Sequence, residues 1–462
     1  MIQLTPEQFN VKEYVINTNS IVLVAAKGGT GKSFMARHLV KVLEPKKVLY
    51  TAFNKAIVKE QEGIFPSNVE CKTLHALAYK YTQPKEDIHP LDYKDFPKGL
   101  SYKSKYEVKE ALEEFFVSNS TDMYEYFSEY FKDKKLTDAS VYLVNSMLEK
   151  KLPWSFSFML KYFHLMLIEN PSICKYDLVL LDEINDTTAV ALEIFKLIEA
   201  PKKVGLGDPY QAIYAFLNLS NGFEELKNVP ILPLTNSFRC SKEIASSIQE
   251  LMRKELDDTF TFTGTDEPVK NGLELYCTLT NAEIIQELSN RLDNKKPFKL
   301  LRKPADIFAC VLALSSANQG KKVYQKAYRF LEDVYEDWIN YKKKKPNITF
   351  FGYIIKELTD PEIHSAIRLL SKLKNDGHNL FELYGRVKAY KQNGNYTIST
   401  TFTSKGLEFE TVYISEGLNN AVQKVIDSKE AQSEEDKTTM KIYYVACSRA
   451  GRVLKNAKHL RL

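Results

Sequence analysis

The chain has 462 residues, which as a soft prior allows about three compact units. Hydrophobic residues make up 44% and charged residues 27%, near the globular average, which excludes a disordered, collagenous or low-complexity chain. Lys and Arg number 64 against 59 Asp and Glu, a net charge of +5 that permits a nucleic-acid partner without indicating one, since a phosphate-tracking groove depends on local charge.

The first fifty residues alternate short β-branched runs with helical patterns. Ile21–Ala26 reads as a buried strand, Phe34–Leu43 carries helical periodicity, and Lys47–Phe53 reads as a second strand. This strand–loop–helix–strand unit begins a parallel sheet. Further apolar strands are predicted at Tyr176–Leu181, Lys203–Leu206 and Ile231–Leu234. A Lys/Glu/aromatic-rich helical insertion, Gln83–Pro171, separates them from the first two. The second half repeats the plan, with strands predicted at Leu273–Leu279, Lys299–Leu301, Thr397–Thr401 and Thr411–Ile414 around a helical insertion, Ala305–Asn395. The Lys342-Lys343-Lys344-Lys345 run inside that insertion reads either as a phosphate contact or as a solvated helix end.

The six cysteines, Cys71, Cys174, Cys240, Cys277, Cys310 and Cys447, include no close pair, no CxxC and no Cys/His metal spacing. They read as small buried residues in a reducing compartment. Met1–Glu7 shows no basic region followed by an apolar one, and Ile307–Gly320, an apolar uncharged stretch, is too short to span a bilayer. The expectation is a soluble intracellular protein with no membrane partner, cytoplasmic or, in a eukaryote, nuclear.

Ala26-Lys27-Gly28-Gly29-Thr30-Gly31-Lys32-Ser33 follows a predicted strand and opens a predicted helix, the context a P-loop requires. Glycines let successive N–H groups turn inward around phosphate oxygens, and the helix N-terminus adds a favourable dipole. Lys32 would reach the β- and γ-phosphates of ATP and the Ser33 hydroxyl would ligand Mg²⁺. The bland alternative is a structural glycine turn. Tyr176–Glu183 supplies the matching half: a buried strand ending in Asp182, placed near the metal, and Glu183, able to act as general base on the attacking water. Alone, such an acidic pair would read as a solvated strand end.

Further ordered motifs narrow the class. Gly207-Asp208-Pro209-Tyr210-Gln211-Ala212-Ile213-Tyr214-Ala215-Phe216, Leu234-Thr235-Asn236-Ser237-Phe238-Arg239, Thr403-Ser404-Lys405-Gly406-Leu407-Glu408-Phe409 and Tyr444-Val445-Ala446-Cys447-Ser448-Arg449-Ala450 resemble, in order and over the whole chain, elements of UvrD/Rep/PcrA-type superfamily 1 helicases. Phe53-Asn54-Lys55-Ala56, Thr73-Leu74-His75-Ala76-Leu77-Ala78 and the Asp333-Val334-Tyr335 insertion look most like the F-box DNA helicase branch, without an F-box segment. The resemblance implies an α/β fold of two tandem RecA-like parallel-sheet domains, each with a mainly helical insertion. The expected boundaries are residues 1–82 and 171–235 (1A), 83–170 (1B), 236–304 and 396–462 (2A), and 305–395 (2B).

The resemblance also implies residue roles. Gln8 matches a glutamine that reads the adenine edge, although Thr5-Pro6-Glu7-Gln8 is equally a helix capping box. Phe238 would stack on adenine and Glu408 would contact the nucleotide. Gln211 would sense the γ-phosphate, and Arg239 and Arg449 would approach it as arginine fingers, each worth about 10³–10⁵ in rate in such sites. Ala26, Gly28, Gly29, Thr30 and Gly31 complete the phosphate cradle. Asn54, Thr73 and His75 match elements that touch the DNA strand, and Phe216 matches a base-stacking aromatic, against a plain core-packing alternative. Phe402 replaces a common His and Leu217 a common Arg, so coupling of DNA to ATP can differ from the family pattern.

The implied activity is a DNA-stimulated ATPase, translocating 3′→5′ on single-stranded DNA and at single-strand/duplex junctions in replication, recombination or repair. A duplex step costs ~1.4 kcal/mol on average in stacking, well within one ATP. A protein-stripping translocase with little unwinding, a non-catalytic nucleic-acid-binding scaffold and an RNA substrate remain as alternatives. A monomer with replication or recombination partners is expected.

Overall fold

Parallel strands covered on both faces organise each half of the chain. The computed structural model describes residues 3–52, 55–84, 88–214, 219–428 and 432–461. It divides into two units, residues 1–235 and 236–462.

The first unit is built on β1 (Ile21–Ala26), β2 (Val48–Ala52), β3 (Val69–Lys72), β4 (Leu178–Asp182), β5 (Lys202–Gly207) and β6 (Ile231–Leu234). They lie in the order β3-β2-β4-β5-β1-β6, every neighbouring pair parallel. Alternate residues go to opposite faces, as the two-residue period of a strand demands. Val22, Val24, Leu178 and Leu180 share a core with Val11 and Val15 of the helix Pro6–Asn17 and with Met35 and Leu39 of the helix Lys32–Leu43. Leu23, Val179 and Leu181 face the other way and join a core that continues into the insertion through Phe115, Phe116, Phe127, Phe158 and Phe163. The insertion is therefore packed into the sheet domain.

Its helices Tyr102–Val117, Met123–Tyr130, Lys134–Leu148 and Phe156–Glu169 begin where the chain supplies Ser101, Asp122, Asp133 and Ser155. Each of those side chains accepts a first-turn N–H that would otherwise lack an intrahelical partner.

The second unit contains β7 (Asn236–Ser241), β8 (Thr263–Thr265), β9 (Glu274–Thr278), β10 (Lys299–Leu300), β11 (Tyr396–Thr400), β12 (Phe409–Ile414) and β13 (Ala450–Lys455). Five of them form a parallel sheet ordered β10-β11-β9-β12-β13, while β7 and β8 pair separately. Between β10 and β11 lie helices that include Ala309–Ala317, Phe330–Lys342, Phe350–Glu357, Pro361–Asn375 and Leu380–Ala389. Leu331, Phe350 and Ile363 from these helices share one core with Phe298 and Ile398 beside the sheet. The lysine run closes the helix Phe330–Lys342 and is exposed, with Lys342 over the Trp338 ring at 4.8 Å. A solvated helix end, favoured by the dipole, accounts for it. No helix among the described residues is long and apolar enough to cross a membrane.

Four strands lie outside the spans predicted from sequence. All four residues of β3 are only partly buried, so no apolar run marks it. β13 begins Ala-Gly-Arg, and β7 and β8 form a short polar ribbon; none carries a continuous β-branched run.

One buried cation stands out in the first insertion. Lys161 is 1% exposed, and its amine donates to the carbonyl oxygens of Ser118, at 2.9 Å, and of Ser120, with the Phe115 ring 4.4 Å away. Burial pushes its pKa down to about 7, and a neutral amine still has two N–H groups for the two carbonyls. His164, one turn on, is pushed down to about 4 by burial and then by the charge of Lys161. Between about pH 7 and the ordinary lysine value of 10.5 the unfolded chain holds a proton that the native state releases. The cost of burying the ammonium is thus full below the native pKa and relieved as pH rises through that window. Urea unfolding of wild type and Lys161→Met at about pH 7 and about pH 9 should show the wild type gaining on the variant at the higher pH. An equal gap at both would mean that the native amine keeps its charge.

Candidate functional site

At the C-terminal end of β1 the chain turns through the glycine loop into the helix Lys32–Leu43. Gly29 (φ 76°) and Gly31 (φ 87°) take left-handed backbone angles that side chains with a Cβ rarely adopt. Gly31 occupies the N-cap position and supplies no side-chain cap, which leaves first-turn N–H groups for an anion. The loop is pinned by the Lys27 N–H, which donates to Leu234 O at 3.0 Å, and by the Thr30 hydroxyl, which donates to Lys27 O at 2.9 Å.

Lys32 points at the end of β4. Its amine contacts Asp182 Oδ1 at 2.9 Å and the Glu183 carboxylate. Burial alone would lower its pKa, but the Asp182 and Glu183 charges outweigh that and hold it well above the ordinary lysine range. Asp182 is 2% exposed, and its second oxygen accepts from Tyr50 Oη at 2.5 Å. Burial, then the Asp182 charge, keeps that phenol protonated. Glu183 sits at φ 56°, a strained conformation for a non-glycine residue, and its N–H donates to Asp182 Oδ1 at 2.9 Å.

The next strand brings Gln211. Its amide donates to Asp208 Oδ2 at 2.8 Å, and the Asp208 N–H in turn donates to Asn185 Oδ1 at 3.0 Å. Gly207 is required there, because a Cβ would lie 2.4 Å from Asn185 Oδ1. Tyr210 reaches the phosphate loop itself, with Lys27 Nζ 3.5 Å from its ring centre.

Gln8 forms the capping box: its N–H donates to Thr5 Oγ1 at 3.2 Å and its side-chain oxygen accepts from the Thr5 N–H at 3.2 Å. Its amide nitrogen also donates to Thr30 O at 3.4 Å, so this helix start is tied to the glycine loop. Glu7 beside it accepts the Thr235 N–H and hydroxyl at 2.7 and 2.6 Å. Within the first unit the structure thus gathers the loop, both acids, Gln8 and the Gln211 segment.

In the second unit, Arg239 is buried. Its Nε and Nη2 donate to Glu408 Oε1 at 3.1 and 2.9 Å, and its Nη1 donates to Ser448 O at 3.0 Å. Arg449 is 1% exposed and donates from Nε to Val445 O at 3.0 Å and from Nη2 to Ser448 Oγ at 3.2 Å. Phe238 is half exposed, its ring available for stacking.

Thr73 and His75 open a third region. Thr73 caps the helix Leu74–Thr82 by accepting the Ala76 N–H at 3.2 Å. A groove of about 510 Å³ beside it is lined by Lys55, Lys59, Lys72, Thr73, His75 and Phe156, among others. Burial lowers the His75 pKa, so the ring is neutral at physiological pH. Phe156, 57% exposed, meets the His75 ring edge-on at 6.5 Å between centroids. Asn54 and Phe216, with Phe53 and Leu217, lie outside the described residues. Sequence reasoning did not single out Phe156, which sits in no motif. Tyr50 and Asn185 were also missed; Asp208 lay inside a quoted motif without a role.

The oxygen donors Ser33 and Asp182 are of the hard kind that Mg²⁺ takes. No group of three or more His, Cys, Asp or Glu among the described residues is arranged to hold a metal alone. That set fits a Mg²⁺ that completes its shell with phosphate oxygens and water.

Two parallel-sheet units, the first with a glycine loop facing an acidic strand end, define a P-loop NTPase of tandem RecA-like form. The chain belongs to the UvrD-like helicase family: the family model described as UvrD-like helicase C-terminal domain matches residues 100–456. It is similar to the F-box DNA helicase 1 of Gallus gallus, 24% identical over 474 residues, covering 90% of this chain and 45% of the relative. It is likewise similar to the F-box DNA helicase protein 1 of Schizosaccharomyces pombe, 24% identical over 505 residues, covering 97% of this chain and 56% of the relative. The chain spans about half the length of the curated relatives it matches.

Tyr50→Phe should isolate the support of Asp182. It leaves a buried carboxylate oxygen without its phenolic donor, so urea unfolding should show a loss of about 1–3 kcal/mol. A loss within error would mean that Asp182 is held by its other partners alone.

Proposed function

We propose that the chain is an ATP-driven translocase that moves 3′→5′ on single-stranded DNA and separates duplexes, serving replication, recombination or repair. The observation that carries this reading is Lys32 held between Asp182 and Glu183 at the mouth of the glycine loop. A lysine so placed exchanges two carboxylates for the β- and γ-phosphate oxygens of ATP when the nucleotide enters. Its departure frees Glu183 to orient the attacking water and accept its proton. Ser33 and Asp182 would hold Mg²⁺, which supplies neutralising charge to the phosphates. Ala26, Gly28, Gly29, Thr30 and Gly31 shape the backbone around them.

Gln8 would read the adenine edge and Phe238 stack on its face, with Glu408 near the ribose. Gln211, oriented by Asp208, would sense the γ-phosphate. Arg239 and Arg449 would meet that phosphate as arginine fingers and stabilise the charge that develops during transfer. In this assignment residues 1–82 and 171–235 form motor domain 1A with insertion 1B at 83–170. Residues 236–304 and 396–462 form 2A with insertion 2B at 305–395.

The DNA strand would run past Thr73 and His75, with Asn54 and Phe216 contributing. Lys55, Lys59 and Lys72 supply positive charge for the backbone, and Phe156 offers an exposed ring for a base.

ATP turnover with and without single-stranded DNA tests the reading, followed by strand displacement on tailed duplexes of each polarity. Stimulated turnover and unwinding from a 3′ tail are expected; DNA binding with no stimulated turnover would leave only a scaffold. Lys32→Ala should abolish hydrolysis while DNA binding survives, and Glu183→Gln should trap bound ATP, as filter binding would show. Near-normal turnover in Glu183→Gln would remove it from the base role. Phe156→Ala should raise the DNA concentration for half-maximal stimulation about tenfold, the loss of one stacked base. Unchanged half-saturation would place the DNA elsewhere.

A further inference from the structure

We infer that Ser448 is a positioning residue that ties Arg239 and Arg449 together, so that the two guanidinium groups are held as one rigid pair. The inference rests on the proposed roles of those arginines. Ser448 is fully buried at the C-terminal end of the helix Glu434–Cys447. Its carbonyl accepts from Arg239 Nη1 at 3.0 Å, and its hydroxyl accepts from Arg449 Nη2 at 3.2 Å. One small residue therefore touches both cations through different atoms.

The orientation of the hydroxyl is set. Ser448 Oγ donates to Val445 O at 3.1 Å, which commits its only hydrogen and turns a lone pair toward Arg449. Val445 O also accepts from Arg449 Nε at 3.0 Å, so the guanidinium is gripped along one edge by a hydroxyl and a carbonyl that are themselves bonded together.

A second short segment closes the arrangement from the opposite side. Arg449 Nη1 donates to Leu407 O at 3.4 Å, Glu408 receives Arg239, and the Phe409 N–H donates to Arg449 O at 3.1 Å. Three consecutive residues thus each bond to one of the two arginines. A free arginine would have to lose its rotamer freedom on meeting a phosphate; one already fixed loses less, and geometry within a fraction of an ångström matters to the transfer step.

The hydroxyl can be tested apart from packing by comparing Ser448→Thr with Ser448→Val. The two add the same bulk to the same buried place and differ only in the hydroxyl. In DNA-stimulated ATP turnover, kcat should be about tenfold higher for Ser448→Thr than for Ser448→Val, the effect of one charge-assisted hydrogen bond, with KM for ATP alike. In an Arg449→Ala background the gap should vanish, since no guanidinium remains to be held. Equal kcat for the two variants, or a gap that persists without Arg449, overturns the inference. Should thermal melting show that neither variant folds, Ser448→Ala against wild type reads the same split, with a kcat loss at constant KM expected and no loss overturning it. Loss of turnover in Arg449→Ala with no Thr/Val difference defeats the tie alone. Full turnover in both Arg239→Ala and Arg449→Ala defeats the finger roles, and the inference with them.

Discussion

Burial by itself would lower the pKa of Lys32, and the carboxylates of Asp182 and Glu183 outweigh it and hold the cation in place. This ion cluster is the constraint from which the rest of the first unit can be understood. Two acids and one lysine are brought together by strands with only β5 between them, and because every pairing is parallel their C-terminal ends share one edge of the sheet. Taking three charges out of water is costly, and a well-packed apolar cluster of the same volume would often be as stable. Retaining the charges, and holding Glu183 at a left-handed angle beside them, is consistent with the proposed nucleotide site, in which phosphate oxygens would take the place of the carboxylates.

Supporting residues surround that cluster in layers. Tyr50 bonds to Asp182, Asp208 bonds to Gln211, Asn185 bonds to Asp208, and Thr30 is bonded by Gln8. Such partners fix the rotamers of the groups that would meet the nucleotide, which matters more for a phosphoryl-transfer site than any single contact. The second unit uses the same device around its arginines, with Glu408, Val445, Leu407 and Ser448 as acceptors.

The helical insertions differ from independent domains. Phe115 and Phe158 in one case, and Phe350 and Ile363 in the other, belong to cores that also contain residues of the adjoining strands or their connections. Thr73, His75 and Phe156 gain from this continuity. A residue of the first insertion and two residues where β3 passes into the helix Leu74–Thr82 line one groove because the core beneath them is shared.

Much of this was legible in the chain. Ile21–Ala26 and Tyr176–Leu181 are marked as strands by their apolar runs, the glycine loop by its place between strand and helix, and Asp182 and Glu183 by the acidic end of an apolar strand. Local patterns suffice where burial on both faces forces a continuous hydrophobic run and where a tight turn demands glycine. The same signals fail at β3 and β13, whose partly exposed or glycine-containing stretches become strands through pairing with β2 and β12. Phe156 could not be told from any other aromatic until His75 was beside it, and nothing in the local sequence of Ser448 shows that two guanidinium groups meet there. Spacing along a chain determines which residues can turn a loop or cover a face. Which side chains from distant segments share a proton, a charge or a ring face is decided by the three-dimensional path, since those bonds join residues scores of positions apart.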